Sequence, residues 1–258
     1  MSAGAPTISW HACQACDVPR GDAWLSERER ACLEPMRFVK RRSDWRLGRW
    51  AAKQALSTHL GVRPEAIEIL AAADGAPEAF AGGAPAGVSL SISHRGGAAL
   101  CAIAPAGMRI GCDLELIEPR SDAFLDDYLL PSERLAVARA AGQHEAMAAL
   151  VWSGKESALK ALRTGLRRDT RSVEVSLPLA VEEAAWVRGK ARCRPTGAEF
   201  ALWGMIVGAR ALTLATDAPR ATSAPEPISQ KKVAKSSGQI LRAALLYRCG
   251  ASRCPILS

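Results

Sequence analysis

Val88, Leu90 and Ile92 alternate with Ser89, Ser91 and Ser93, and a period of two arises when successive side chains point to opposite faces of a strand. His94 ends the run, His94-Arg95-Gly96-Gly97 makes a turn, and Ala98 to Ala104 continues as a second, fully apolar strand. A sheet therefore has to form here. Upstream the pattern is helical. Ser26-Glu27-Arg28-Glu29 has the form of a capping box and opens a first helix, and Ser43 caps a second that ends before Gly61. Two helices then precede any clear strand. Residues 71–87, rich in Ala, Gly and Pro, read as a loop.

Pro105-Ala106-Gly107 breaks the chain, and Met108 to Leu116 begins a third strand that opens a second half. That half repeats the order loosely: strand, loop, a helix start at Ser132-Glu133, a long helix to about Leu162, then strands near 172–177 and 199–215. The expected fold class is α+β. Two similar α+β halves, residues 1–105 and 106–218, packed together would account for this, although no sequence repeat marks a duplication. From about Pro219 the composition turns to Ala, Pro, Ser and Lys, without periodicity until a short apolar stretch at Ile240 to Tyr247. Residues 219–258 read as a disordered basic tail.

The formal charge of +8 divides unevenly: after Arg220 there are six Lys or Arg residues against Glu226, so residues 221–258 supply +5 and leave about +3 for residues 1–220 by subtraction. Such a balance suits acidic partners and does not call for nucleic acid. The uncharged apolar stretch Phe200 to Ala209 falls well short of the roughly 20 residues that span a bilayer, and Met1 to Trp10 has neither a basic nor an apolar leader region. The reading is a cytoplasmic monomer with no membrane partner. Eight cysteines scattered through 258 residues read as free thiols, and Cys13-x-x-Cys16 has no second pair to complete a zinc site.

Chemistry enters with the third strand. Ile110, Cys112, Leu114 and Leu116 point one way, and Gly111, Asp113 and Glu115 the other. Residues i and i+2 lie roughly 6.5 to 7 Å apart at Cα, so both carboxylates reach one ion of Mg²⁺ size; a solvated strand face would look the same. Gly111 allows a close backbone approach. A second cluster, Trp152-Ser153-Gly154-Lys155-Glu156-Ser157-Ala158-Leu159-Lys160, lies in a helix from about His144 to Leu162. Met147, Leu150, Val151, Gly154, Ala158 and Leu162 gather opposite Glu156, leaving Ser153, Glu156, Ser157 and Lys160 as a polar face. Taken alone, Glu156 and Lys160 are equally a surface ion pair at i,i+4. Arg42, Arg46, Arg49 and Lys53 recur at helical spacing, a basic stripe suited to a dianionic phosphate or to water.

Together, Gly111-Cys112-Asp113-Leu114-Glu115 and, about forty residues on, Trp152 to Lys160 resemble the paired signature of the 4′-phosphopantetheinyl transferases. Phe124 to Glu133 is similar to the family's intervening segment. Arg41-Arg42-x-Asp44-x-Arg46 and Ser91-Ile92-Ser93-His94 resemble N-terminal motifs of its larger, surfactin-synthetase-activating type, a pseudo-dimer in one chain. The likeness covers roughly residues 20–215. It implies that a serine of an apo acyl or peptidyl carrier protein attacks the β-phosphate of coenzyme A, giving the phosphopantetheinylated carrier and 3′,5′-ADP. It further implies Mg²⁺ held by Asp113, Glu115 and Glu156, with Lys160 on the phosphate charge and Glu156 the favoured acceptor of the serine proton. Arg46, Ser93, His94, Lys155 and Lys160 would contact coenzyme A, Arg46 and His94 at its 3′-phosphate.

Two departures stand out. Asp74-Gly75-Ala76-Pro77 occupies the place of the family's Gly, Lys or Arg, Pro, so Ala76 removes a basic side chain, and Cys112 replaces an aliphatic residue. Competing readings fit less well. A magnesium-dependent nuclease places its lysine two residues after the last acid on a strand, whereas Lys160 follows Glu156 by four on a helix. A non-catalytic coenzyme A or carrier-binding module would be expected to lose a carboxylate, and a Ser-His hydrolase lacks its Gly-x-Ser-x-Gly.

Overall fold

The structure, a computed structural model, describes residues 6–217 and 223–228. In chain order the first half contains β1 (Ser9–Gln14), α1 (Glu27–Leu33), α2 (Val39–Leu60), β2 (Ile67–Ala71), β3 (Pro77–Ala81), β4 (Ala84–Pro85), β5 (Val88–Arg95) and β6 (Ala98–Pro105). The second contains β7 (Ile110–Leu116), α3 (Asp122–Tyr128), α4 (Pro131–Arg139), α5 (His144–Ala161), β8 (Val173–Ser176), β9 (Val187–Cys193), β10 (Glu199–Val207) and β11 (Arg210–Thr216). A last short strand, β12, is Glu226–Pro227. The α+β class and the two-half organisation are present.

Sheet order explains the apolar strand. β6 lies between β1 and β5 in the order β12-β1-β6-β5, and both its faces are covered. Leu100, Ala102 and Ala104 join the core between the two sheets, while Ala99, Cys101 and Ile103 join the core beneath α2. The second sheet runs β7-β11-β10-β9-β8, with α5 packed on its outer face through Leu150, Ala158 and Leu159. Across the middle, Trp10, Ala12 and Leu100 of the first half meet Cys112, Leu114 and Leu212 of the second in one apolar cluster. The halves are fused by this shared core.

The order also exposes a duplication that the sequence hides. β1-β6-β5 matches β7-β11-β10, and the partners of β9 and β8 are β3 and β2, which split off as a separate β2-β3-β4 sheet. The helices repeat at atomic detail. Glu29 accepts from Ser26 N at 2.9 Å and Ile69 N at 3.1 Å and pairs with Lys53 at 2.7 Å. Glu133 accepts from Leu130 N at 2.7 Å and Val175 N at 2.8 Å and pairs with Lys155 at 2.7 Å. Each is a short-helix glutamate that caps its own helix, holds a strand and neutralises a lysine from the long helix. All four side chains are fully buried.

Several local expectations change. A strand, β1, precedes the helices; its pairing to β6 is a long-range contact that no local pattern announces. Ser26 does cap α1, accepting from Glu29 N at 3.2 Å. Ser43, however, lies inside α2, which starts at Val39 behind Phe38 with no side-chain cap. Arg42 donates to Leu33 O at 2.7 Å, which ties the preceding loop to the first turn. Gly61 ends the helix at φ 70°, as expected of a left-handed stop. Residues 71–87 are not a loop throughout: β3 pairs with β2 from Ile67↔Ala81 to Ala71↔Pro77. The helix start at Ser132-Glu133 and the helix from about His144 belong to two helices, α4 and α5, parted at Gly142 with φ 71°, and β9 was not foreseen.

The tail needs a correction where it is described. Glu226 N donates to Ile8 O at 2.9 Å and Ile228 N to Trp10 O at 2.8 Å, so β12 adds to the edge of β1 in parallel. Ile228 packs on the core beneath α2. This segment is held, not disordered; Ile240 to Tyr247, Cys249 and Cys254 lie outside the described residues. Among the described residues, no helix is long and apolar enough to cross a membrane, and Cys13, Cys101, Cys112 and Cys193 are buried and unbridged.

Candidate active site

The two motifs meet because β7 and α5 touch backbone to backbone. A Cβ on Gly111 would lie 1.9 Å from Ser157 O and 2.7 Å from Ala161 N, closer than any side chain permits. Glycine is required at that crossing. With Gly111 against the helix, Asp113 and Glu115 of the same strand face are carried to α5, while Cys112 and Leu114 turn into the core between the sheets. Lys160 Nζ donates to Asp113 Oδ1 at 2.8 Å and to Cys112 O at 3.0 Å.

The helix stripe expected to be a solvated polar face is polar but largely dry. Ser153 and Ser157 are fully buried, and their hydroxyls meet Thr213 Oγ1 of β11 at 2.8 and 2.7 Å. Only Glu156 and Lys160 keep some exposure. The stripe docks the helix on the sheet through satisfied hydroxyls and leaves its last two charges at the cleft.

Asp113 is buried to 2% exposure. Its Oδ1 accepts from Lys160 and from Ser93 Oγ at 2.7 Å, whereas Oδ2 is buried with no donor facing it. Glu156 stands beside it. Burial, and then the Asp113 charge, push the Glu156 carboxyl up from its ordinary range to about 7, against the pull of Lys160. Glu115 is also raised, by burial first and by Asp113 second. Lys160 keeps its charge: burial works against the ammonium, but Asp113, Cys112 and Glu156 outweigh it and raise its pKa.

Two groups that sequence reading missed hold Glu115. Arg120 Nη2 donates to Glu115 Oε2 at 3.2 Å, and Arg95 Nε approaches the same oxygen at 3.7 Å. Trp152 Nε1 donates to Oε1 at 3.2 Å. Trp152 in turn stacks edge-on against Phe124 and Tyr128 of α3, and Arg120 covers Phe124 at 4.9 Å. Arg95 sits next to the expected His94, so the turn after β5 was a findable signal; Arg120 lies in a loop with no pattern. Among the described residues no three acid, His or Cys side chains close round a metal. Lys160 holds Asp113 Oδ1, and the two arginines hold Glu115 Oε2.

Other expected residues are dispersed. Arg46 donates to Pro19 O at 2.8 Å and pairs with Asp22 at 3.0 Å, and Arg49 lies over the Trp45 ring at 4.6 Å. With Arg42 on Leu33 O and Lys53 on Glu29, the basic stripe anchors the segment before α2 and does not form a free anion site. Lys155, expected at coenzyme A, is instead fully buried on Glu133, Thr170 O and Val173 O. Ser93 is at the site. His94 packs beside Gly48 of α2, and burial, with Lys160 and Lys40 against Asp44, lowers its pKa.

A cleft of about 750 Å³ opens between the halves, lined by Asp74, Glu78, Ser89, Ser91, Arg109 and Lys160 among others. At its far end Arg163 donates bidentately to Asp74, at 2.6 and 3.0 Å, and to Glu78 at 3.2 Å. Arg167 donates to Asp74 O at 3.0 Å. The Arg163 pair holds Asp74 down at about 2.

Models of known families match both halves. That of the 4′-phosphopantetheinyl transferase superfamily matches residues 109–201, and that of the 4′-phosphopantetheinyl transferase N-terminal domain matches residues 29–104. No curated protein sequence matches the chain. Among solved structures, the chain is similar to Thermotoga maritima holo-[acyl-carrier-protein] synthase, with 22% identity and a TM-score of 0.32 over 46% of this chain and 72% of that one.

Proposed function

The chain belongs to the 4′-phosphopantetheinyl transferase superfamily, and we propose that it carries out that family's reaction where β7 meets α5, at Asp113, Glu156 and Lys160. The activity is transfer of 4′-phosphopantetheine from coenzyme A to a carrier protein. One observation carries the assignment: Lys160 lies 2.8 Å from Asp113 Oδ1, which joins the two motifs at the mouth of a cleft between the halves.

A divalent cation fits these residues. Asp113 Oδ2 is buried without a donor, and Glu156 beside it holds a proton to about pH 7 chiefly because burial and Asp113 disfavour a second charge. A hard cation such as Mg²⁺ suits carboxylate oxygens and would take the place of that proton. Asp113 and Glu156 would hold it, with Glu115 joining once Arg95 and Arg120 give up an oxygen. Bound there, Mg²⁺ supplies neutralisation of the charge on the pyrophosphate.

The chain's own groups do the rest. In the transfer the carrier serine oxygen forms a bond to the β-phosphorus, the bond from that phosphorus to the bridging oxygen breaks, and 3′,5′-ADP leaves. Lys160, charged and already facing the site, stabilises the negative charge that grows on the leaving phosphate. Glu156, beside Asp113, accepts the serine proton before passing it to water. Ser93 and Lys160 fix the Asp113 carboxylate. Because both halves share one core and one chain contributes the whole site, a monomer is the working unit.

The test is mass measurement of a panel of apo fatty-acid, polyketide and peptide carriers after incubation with coenzyme A and Mg²⁺. The expected result is one phosphopantetheine added to at least one carrier and none with Asp113→Asn. An unchanged panel with the intact chain would overturn the reading.

A further inference from the structure

Glu115 and Glu118 share two arginines. Arg120 Nη2 lies 3.2 Å from Glu115 Oε2, and its Nη1 lies 3.5 Å from Glu118 Oε1. Arg95 repeats the arrangement, with Nε 3.7 Å from Glu115 Oε2 and Nη2 3.4 Å from Glu118 Oε1. Each guanidinium therefore bridges the same two carboxylate oxygens. Local structure sets the four groups together. Gly96, at φ 56°, packs so tightly on Leu116 that a Cβ there would come within 3.0 Å of its side chain, which brings Arg95 to the end of β7. Glu118 and Arg120 follow β7 directly, and Pro119 between them biases Glu118 to extended backbone.

The two carboxylates differ in surroundings. The side chains of Glu115 and Arg120 are 12% and 15% exposed, whereas those of Glu118 and Arg95 are 42% and 47% exposed. Glu115 Oε1 accepts from Trp152 Nε1, so Oε2 is the oxygen that can change partner. Arg120 has little freedom to leave. It lies over Phe124, and its Nε is buried with no acceptor; a guanidinium so placed is costly to leave without a carboxylate.

We propose that Glu118 is a positioning residue for the cation site: it keeps Arg95 and Arg120 paired when Glu115 gives Oε2 to the cation. This rests on the reading of Asp113, Glu115 and Glu156 as the residues that hold Mg²⁺. A cation and two guanidinium groups compete for one oxygen, so a cation bound through Glu115 displaces two ion pairs. Without a second carboxylate, Arg120 would be left buried and unpaired. Glu118 already touches both arginines, and the exchange leaves them on one carboxylate in place of two. Glu118 thereby sets how readily Glu115 joins the cation without touching the cation itself.

The experiment measures Mn²⁺ binding to the full chain without coenzyme A, by electron paramagnetic resonance of the free ion; Mn²⁺ favours the same carboxylate oxygens. Glu118→Gln is expected to weaken binding by about fivefold, the combined worth of two partly exposed ion pairs. Loss of a nearby negative charge would weaken it too, and the arginines separate the two effects. With Arg95→Gln and Arg120→Gln in place Glu115 is already released, so adding Glu118→Gln should change nothing; a plain field effect predicts the same loss as before. Should that pair of substitutions unfold the chain, Arg95→Gln alone serves, and the effect of Glu118→Gln should shrink to about twofold. In carrier labelling, Glu118→Gln should raise the Mg²⁺ concentration for half-maximal rate more than it lowers the rate at saturation. An equal effect of Glu118→Gln with and without the arginines, or no effect in the intact chain, overturns the inference. Asp113→Asn separates the two readings: if it abolishes Mn²⁺ binding by the intact chain, the cation site stands whatever Glu118 does. If the intact chain binds no Mn²⁺, or Asp113→Asn binds it as well, both fall.

Discussion

Asp113 has one oxygen on Lys160 and Ser93, and burial first, with the Asp113 charge second, leaves its neighbour Glu156 a proton to about pH 7. A carboxyl raised in the folded state contributes stability that is fully present below its ordinary value near 4.5 and lost as pH rises through about 7. A divalent cation replaces the proton, so its stabilising effect has the opposite trend. Thermal unfolding with and without Mg²⁺ should show a small shift at pH 5.5 that grows through pH 7 and then levels, and Glu156→Gln should flatten the trend. A shift independent of pH would remove Glu156 from the cation site. Asp113→Asn should lower turnover at saturating coenzyme A by about a hundredfold or more, measured by carrier labelling, with the far-ultraviolet circular dichroism unchanged.

Helix α5 is held by an internal salt bridge and by its contact with β7. Lys155→Met leaves Glu133 buried without its cation and should destabilise the protein by about 3 to 5 kcal/mol. Adding Glu133→Gln should recover much of that loss, because the uncompensated charge is then gone. Urea unfolding of the single and double variants checks both, and Lys53 with Glu29 should repeat the pattern. A turnover loss in Lys155→Met out of proportion to its stability loss would instead return Lys155 to the coenzyme A site. At the crossing, Gly111→Ala puts a methyl within 1.9 Å of Ser157 O. Strand and helix must part, at about 1 to 3 kcal/mol. Because Asp113 and Lys160 separate with them, transfer should fall even at temperatures where the variant remains folded.

Across the whole molecule, β12 closes the edge of the first sheet and Ile228 seals the core beneath α2. A chain ending at Asp217 loses two backbone hydrogen bonds and that apolar burial, together about 2 kcal/mol, whereas one ending at Ser229 keeps them. Comparing the urea midpoints of the two truncations tests the docking, and equal midpoints would show that β12 contributes nothing to stability.

Wherever a periodic pattern coincided with a local rule, the sequence was sufficient. It determined the β5–β6 hairpin, the face shared by Gly111, Asp113 and Glu115, the Ser26 cap and the Gly61 stop, because strand alternation and helix capping are decided by near neighbours; the pairing of the two motifs came from the family resemblance alone. Tertiary structure decided the rest, since it depends on contacts between residues far apart in the chain. The Ser153 and Ser157 stripe looked like a solvated face until Thr213 arrived from β11, and Lys155 looked like a ligand until Glu133 arrived from α4. Arg46 looked free until residues 19–22 folded over it. The duplication was invisible for the same reason. It is carried by four buried side chains, Glu29 with Lys53 and Glu133 with Lys155, at spacings of 24 and 22 residues, and a salt bridge closed in space leaves no period in the sequence.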